Sequence, residues 1–215
     1  MTYQTTNPAT GKVMQEFPGA SDVGLEAVLS TAHACHQTDW RHRSVKDRAT
    51  VMRAAVTRRR ADKERLAQLL TLEMGKLIAE ARAEVDLSAD ILDYYATHAE
   101  RYLQSQALVE TVVETRPIGI IFGVEPWNLP YYQLARVAGP QLMVGNVVMI
   151  KRAENVPQSA LAFARVFEEA GAPNGAHTNI FADYDQAGRV IADPRVRGAT
   201  VTGSERAGVA VAEAR

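Results

Sequence analysis

A single cysteine, Cys35, stands among the 215 residues, so no internal disulfide can form and a reducing compartment is expected. Charge of either sign is not in excess: 24 Lys and Arg face 25 Asp and Glu, for a formal net charge of -1. That balance excludes a global field steering the chain to nucleic acid or to an anionic membrane. No apolar run approaches the roughly 20 residues that a bilayer span needs. The opening MTYQTTNPATG has neither the basic nor the apolar stretch of a secretory leader, so a cytoplasmic location is the expectation. Internal repeats, low-complexity tracts and the G-x-G-x-x-G fingerprint of many dinucleotide-binding turns are also missing. What remains is a globular composition, 47% hydrophobic and 23% charged, able to bury a sizeable core and suited to a small neutral or weakly anionic ligand.

The pattern changes character near residue 105. Asn7-Pro8-Ala9-Thr10-Gly11 is a turn between two strand-like pieces, and Ser21-Asp22 caps a helix to about Thr38. Ser44 and Asp47 form a capping-box pattern ahead of Val45, Ala49, Met52 and Val56 at helical spacing. The run Arg58-Arg59-Arg60 is expected on or near a solvated face. A helix carrying Leu66, Leu69 and Leu70 stops at Gly75, and a long one keeps Ile78, Val85, Leu92, Ala96, Ala99 and Leu103 on one side. ALVETVVETR, Ala107 to Arg116, reads as one strand with Glu110 and Glu114 facing water, an arm free to pair elsewhere.

From Pro117 the chain alternates short apolar strands with helices: strands at Ile118–Val124, Val147–Ile150, Thr178–Phe181 and Ala199–Thr202, helices at Tyr131–Val144, Gln158–Ala170 and Gln186–Ala192. Ser204 opens a last helix that the end of the sequence interrupts. The expected fold is α/β: a Rossmann-like parallel sheet covered by helices, wound right-handed, preceded by a helical segment and a β arm. The boundaries follow: 1–106 helical, 107–116 the arm, 117–215 the βαβ core.

Ligands of such sheets bind at the carboxyl ends of the strands, and three junctions there carry chemistry. They are VEPWNLP after the first strand, Lys151-Arg152-Ala153-Glu154 after the second and Thr202-Gly203-Ser204-Glu205 after the fourth. If a dinucleotide lies across them, Lys151 and Glu154 can donate to and accept from a ribose. Gly203 lets backbone approach closely, and Ser204 at a helix N-terminus offers donors to a pyrophosphate. Each junction alone has an ordinary reading: a solvated lysine, a helix cap, a proline-marked turn. Together, in order at successive strand ends, they point to one crevice.

IGIIFGVEPWNLP, GNVVMIKRAE, EEAGAPNG and TVTGSERAG, with NPATG ahead of them, resemble successive signatures of the NAD(P)-dependent aldehyde dehydrogenase superfamily across essentially the whole chain. YYQLARVAGPQLMVGN and DPRVRGATVTGSERAG are most similar to its bacterial succinate-semialdehyde dehydrogenase branch. The resemblance implies that the Asn128 side-chain amide stabilises an oxyanion formed when a thiolate attacks an aldehyde. It implies too that Val124, Glu125, Pro126 and Trp127 line a cofactor channel, that Lys151 and Glu154 hold the adenosine ribose, and that Gly203 and Ser204 meet the pyrophosphate. The cofactor is expected to be NAD, with NADP possible, because a carboxylate at Glu154 opposes a 2′-phosphate. A small aldehyde is the expected substrate and a homo-oligomer the expected full-length state.

The family's nucleophilic cysteine and general-base glutamate belong to segments after Arg215, so the 215 residues alone are expected to be inactive. Cys35, on an amphipathic helix, reads as a packing thiol. His33, Cys35, His36 and Asp39 do not share one helix face and carry no metal expectation. Ala182-Asp183-Tyr184-Asp185 replaces a more glycine-rich family loop, and Glu125 is an unusual charged residue at its position. The alternative expectation is a non-catalytic nucleotide-binding or assembly module.

Overall fold

In the computed structural model, which describes residues 2–214, the 7–11 turn folds β1 (Tyr3–Thr6) back on β2 (Val13–Phe17) as an antiparallel hairpin. Helix α1 (Asp22–Thr38) starts where the Ser21 hydroxyl accepts from Gly24 N, and a 3₁₀ turn, Trp40–His42, follows it. Helix α2 (Val45–Ala61) opens on the Ser44–Asp47 capping box, which satisfies two otherwise orphaned N–H groups. Helix α3 (Lys63–Met74) ends at Gly75, whose φ of 71° is a left-handed conformation that glycine adopts without steric cost. The 25-residue α4 (Ile78–Tyr102) follows.

The segment after α4 corrects the single-strand reading of 107–116. It is a small hairpin, β3 (Gln106–Ala107) against β4 (Val112–Val113), reversing between Leu108 and Thr111. Its valines are exposed, so with no apolar surface to lie on, the extended chain pairs with itself.

The remaining elements are β5 (Ile120–Glu125), α5 (Pro130–Val144), β6 (Val147–Arg152), α6 (Pro157–Glu169), β7 (His177–Ile180), α7 (Tyr184–Ala192), β8 (Val196–Val201) and α8 (Glu205–Glu213). The sheet order is β7-β6-β5-β8 with every pair parallel. The crossovers put α5 and α6 on one face, with α2, α3 and α4 packed outside them, while α1 and α7 lie against the sheet from the other side. Ile120, Phe122, Val147, Val148, Met149 and Ile150 are therefore fully buried, each contributing roughly 1.5 to 3 kcal/mol of apolar transfer. The chain runs outward from β5 to β7 on one side and returns to β8 on the other. The strand order reverses between β5 and β8, the place where α/β sheets open a crevice.

Two boundaries matter for the site. Strand β6 runs through Lys151 and Arg152, so Lys151 belongs to the strand and not to the turn leaving it, because parallel pairing with β5 continues to Glu125–Arg152. Helix α7 begins at Tyr184, two residues before the expected start, because Asp183 and Gln186 form a capping box. The Arg58–Arg60 run also needs correction. Arg58 and Arg60 are exposed, but Arg59 is fully buried on the inner face of α2. Its guanidinium lies 4.7 Å from the ring centres of both Tyr131 and Phe163 and donates to Ser88 Oγ at 2.6 Å. Aromatic faces are thus part of its compensation for lost water.

Candidate active site

Helices α5 and α6 both begin with proline at the first helical position, and neither has a side-chain cap of its own. Proline suits that position, but the next N–H groups still need acceptors. Carboxylates from distant helices supply them. Glu84 on α4 accepts from Tyr131 N (2.8 Å) and Tyr132 N (3.2 Å) with one oxygen, while its other oxygen pairs with Lys76. Glu73 on α3 accepts from Gln158 N (2.7 Å), Ser159 N (2.9 Å), Ser159 Oγ (2.5 Å) and Thr5 Oγ1 (2.8 Å). Both carboxylates are buried at positive helix ends, where negative charge is favoured.

The VEPWNLP loop is clamped from several sides. Lys76 Nζ donates to Asn128 O at 3.0 Å, and Arg152 Nη1 donates to Pro130 O at 3.0 Å. With the Gln133 and Asn128 amides both turned, the Gln133 nitrogen donates to Pro126 O (3.1 Å) and Leu129 O (3.2 Å) and its oxygen accepts from the Asn128 amide nitrogen at 2.9 Å, which leaves that nitrogen one further N–H to donate. The tip stays open: Trp127 is 50% exposed and Asn128 is also exposed. A neutral amide on an immobilised backbone can donate to developing negative charge without titrating.

Beyond the carboxyl ends of β5 and β6, a cleft of about 560 Å³ is lined by Val124 and Lys151, by Tyr184, Ala187, Gly188 and Ile191 around α7, and by Ser204, Arg206, Ala207 and Val211 around α8. That size suits a small-molecule or cofactor site. Of the residues singled out in the sequence, Val124, Lys151 and Ser204 line it; Glu125, Pro126, Trp127, Glu154 and Gly203 do not. Lys151 is 3% exposed, which removes the solvated-lysine reading. Its Nζ lies 3.7 Å from Glu154 Oε1, 4.9 Å from the Tyr184 ring centre and 5.7 Å from that of Tyr3, and burial lowers its pKa against the pull of Glu154. Gly203 has no clash awaiting a Cβ, only ordinary contact with Ala207 Cβ at 3.4 Å, so packing within the chain does not demand glycine there. Ser204 Oγ accepts from Ala207 N at 3.3 Å as the cap of α8.

Tyr3 and Tyr184 were not legible as site residues. Strand β1 crosses the end of the sheet, Gln4 N donating to Glu154 O (3.0 Å) and Tyr3 Oη to Ala182 O (2.7 Å), and only the folded chain brings them there. Cys35 is buried on α1, where burial pushes its thiol up to about 11, a poor state for a nucleophile. Among the described residues no group of three His, Cys, Asp or Glu side chains is placed to hold a metal ion.

Glu125 turns its side chain inward. It is 2% exposed, neither oxygen has a hydrogen-bond partner within the described residues, and it lies opposite Arg152 in register without forming an ion pair. Burial, acting against Thr202, Arg152 and Arg136, pushes its carboxyl up to about 7. Because the folded value lies above the unfolded one, the protonated form is favoured in the fold, and the stability it contributes is lost as pH rises through about 7. Between about pH 5 and about pH 8 the melting temperature of the parent should fall relative to that of Glu125→Gln. Parallel curves would contradict this placement.

A Rossmann-like α/β unit, with a cleft at the strand ends and a clamped polar loop beside it, is the class that this fold and site define. The chain belongs to the aldehyde dehydrogenase family, whose model matches residues 1–215. It is 42% identical over 215 residues to a succinate-semialdehyde dehydrogenase of Deinococcus radiodurans designated for NADP+, covering 98% of this chain and 45% of that protein. It is 41% identical over 209 residues to a succinate semialdehyde dehydrogenase of Escherichia coli designated for NAD(P)+, covering 95% and 45%. The succinic semialdehyde dehydrogenase of Streptococcus pyogenes, solved with NADP+, superposes with a TM-score of 0.95 at 43% identity over 99% of this chain and 48% of that one. The chain thus spans about half the length of these relatives. No helix among the described residues is long and apolar enough to cross a membrane.

Proposed function

We propose that this chain is the cofactor-holding part of an enzyme that oxidises an aldehyde, succinate semialdehyde, to the carboxylic acid. The observation that carries this is the cleft at the strand ends, with buried Lys151 on one wall, Ser204 on the other and small apolar side chains between. The apolar stretch formed by Ala187, Ile191, Ala207 and Val211 suits an adenine, Lys151 with Glu154 a ribose, and the start of α8 at Ser204 a pyrophosphate. A bound NAD(P)+ would supply the hydride acceptor. When a nucleophile bonds to the aldehyde carbon, the carbonyl electron pair moves onto oxygen, and the exposed Asn128 amide donates to it. We assign that nucleophile to a thiolate; Cys35, the sole cysteine, is buried away from Asn128's loop on α1, so these 215 residues alone are expected not to turn over substrate. The exposed valines of the β3–β4 hairpin are the surface we assign to self-association.

Calorimetric titration with NAD and NADP tests the cleft, and Lys151→Met should abolish most of the binding. Absence of binding to either dinucleotide would overturn the reading. The carboxylate of Glu154 argues for NAD, while the names of the relatives carry NADP; its side chain is one-third exposed and is held by Lys151 only at 3.7 Å, so it can turn away from a 2′-phosphate. Glu154→Gln removes the repulsion and should raise affinity for NADP relative to NAD by about tenfold. An unchanged ratio would remove Glu154 from the ribose.

A further inference from the structure

We propose that Lys76, held by Glu84, is the positioning residue for Asn128; this rests on the oxyanion role assigned to Asn128 above. Lys76 lies in the connection between α3 and α4, remote in sequence from the loop it serves. Its side chain is only 9% exposed, and its ammonium makes two contacts: the ion pair with Glu84 and the 3.0 Å hydrogen bond to Asn128 O. Glu84, at 3% side-chain exposure, uses its other oxygen to accept from the N–H groups of Tyr131 and Tyr132, three and four residues past Asn128. One buried ion pair therefore fixes the peptide that follows Asn128 and the first turn of the helix that continues it.

The physical consequence concerns aim. The Asn128 side chain is exposed, so the protein cannot hold it by packing, and its direction depends on the backbone that carries it. Gln133 steadies the amide from one side, but Gln133 sits on α5 and inherits any movement of that helix. Lys76 and Glu84 belong to a different layer, anchored through α4, and so set the loop against the rest of the molecule. Rotation of the peptide between Asn128 and Leu129 would break the Lys76 bond while leaving Gln133 in place.

The test uses the complete enzyme and four forms: parent, Asn128→Ala, the double substitution Lys76→Met with Glu84→Gln, and all three changes combined. The double substitution removes both charges together, and the glutamine carbonyl can still accept from Tyr131 and Tyr132, so α5 keeps its cap. Single-turnover hydride transfer is expected to fall about tenfold in the double variant, with dinucleotide affinity unchanged within about twofold. In the Asn128→Ala background the same double substitution should cost nothing further. An equal loss in both backgrounds would show a merely structural role, and no loss in the parent background would also overturn the proposal. If Asn128→Ala itself leaves hydride transfer unchanged, the oxyanion reading fails and this inference fails with it, a separate and recognisable outcome. Should the double variant not fold, Lys76→Arg serves: it retains a counter-ion for Glu84 but displaces the donor, and a severalfold loss seen only when Asn128 is present is expected. A loss from Lys76→Arg that persists in the Asn128→Ala background, or no loss at all, would overturn the proposal.

Discussion

Asn128→Ala in the complete protein is expected to slow single-turnover hydride transfer by roughly 100-fold or more, with dinucleotide affinity nearly unchanged. The magnitude follows from the removal of one preorganised donor, typically about 3 kcal/mol of transition-state stabilisation. Affinity is spared because the amide matters only once charge develops on the aldehyde oxygen, and because Asn128 does not line the cleft. An ordinary turn residue predicts the opposite: a loss of about 1 kcal/mol in stability and normal chemistry once folded. The loop geometry already weighs against that reading, since the backbone carbonyls around Asn128 are held by Lys76, Arg152 and Gln133 whether or not its side chain is present. Stopped-flow kinetics beside a thermal melt decides between them. Near-normal hydride transfer in a stable variant would dissociate VEPWNLP from the chemistry.

Glu73→Ala is expected to be the most damaging single change to the fold, lowering stability by about 4 kcal/mol in urea melts. Four donors converge on this carboxylate, from Thr5, Gln158 and Ser159 twice, and each buried donor left without an acceptor costs about 1 to 3 kcal/mol. Burial raises the pKa of Glu73 while those hydrogen bonds pull it down, so the carboxylate depends on its donors as much as they depend on it. Glu73→Gln keeps one acceptor and should lose less than half as much. The damage should reach the cleft, because Glu73 holds β1 through Thr5, and β1 bonds Glu154 through Gln4 N. Dinucleotide affinity should therefore fall in Glu73→Ala under conditions where the protein is still folded. A stable variant with normal affinity would show that β1 is held in place by other contacts.

Much of the architecture could be read from neighbours in sequence. Ser21, the Ser44–Asp47 pair and Gly75 mark helix ends through hydrogen bonds or dihedral angles confined to a few residues, so their signals are local. The alternation from Pro117 onward was legible because strands buried on both faces must be apolar throughout, as Ile120 to Phe122 and Val147 to Ile150 are. The motifs at the strand ends could be placed for the same reason: once the strands are known, the junctions are known.

Side-chain environments were a different matter. Nothing near Arg59 in the sequence distinguishes it from Arg58 and Arg60, yet one helical position turns it between Tyr131 and Phe163. Val112 and Val113 carry strand propensity, but propensity does not say with what a strand pairs, and they meet Gln106 and Ala107 across a bend. The alternation of strands and helices from Pro117 and the parallel sheet they form were determined by the sequence alone, since periodicity and capping act within a turn of helix or a pair of strands. Only the tertiary structure decided that Glu84 caps α5 from 47 residues away, that Glu73 caps α6 from 85, and that Tyr3 faces Lys151. The physical reason is that an orphaned N–H or a buried charge must find a partner somewhere, but the rule does not name which one; the packing of the layers does.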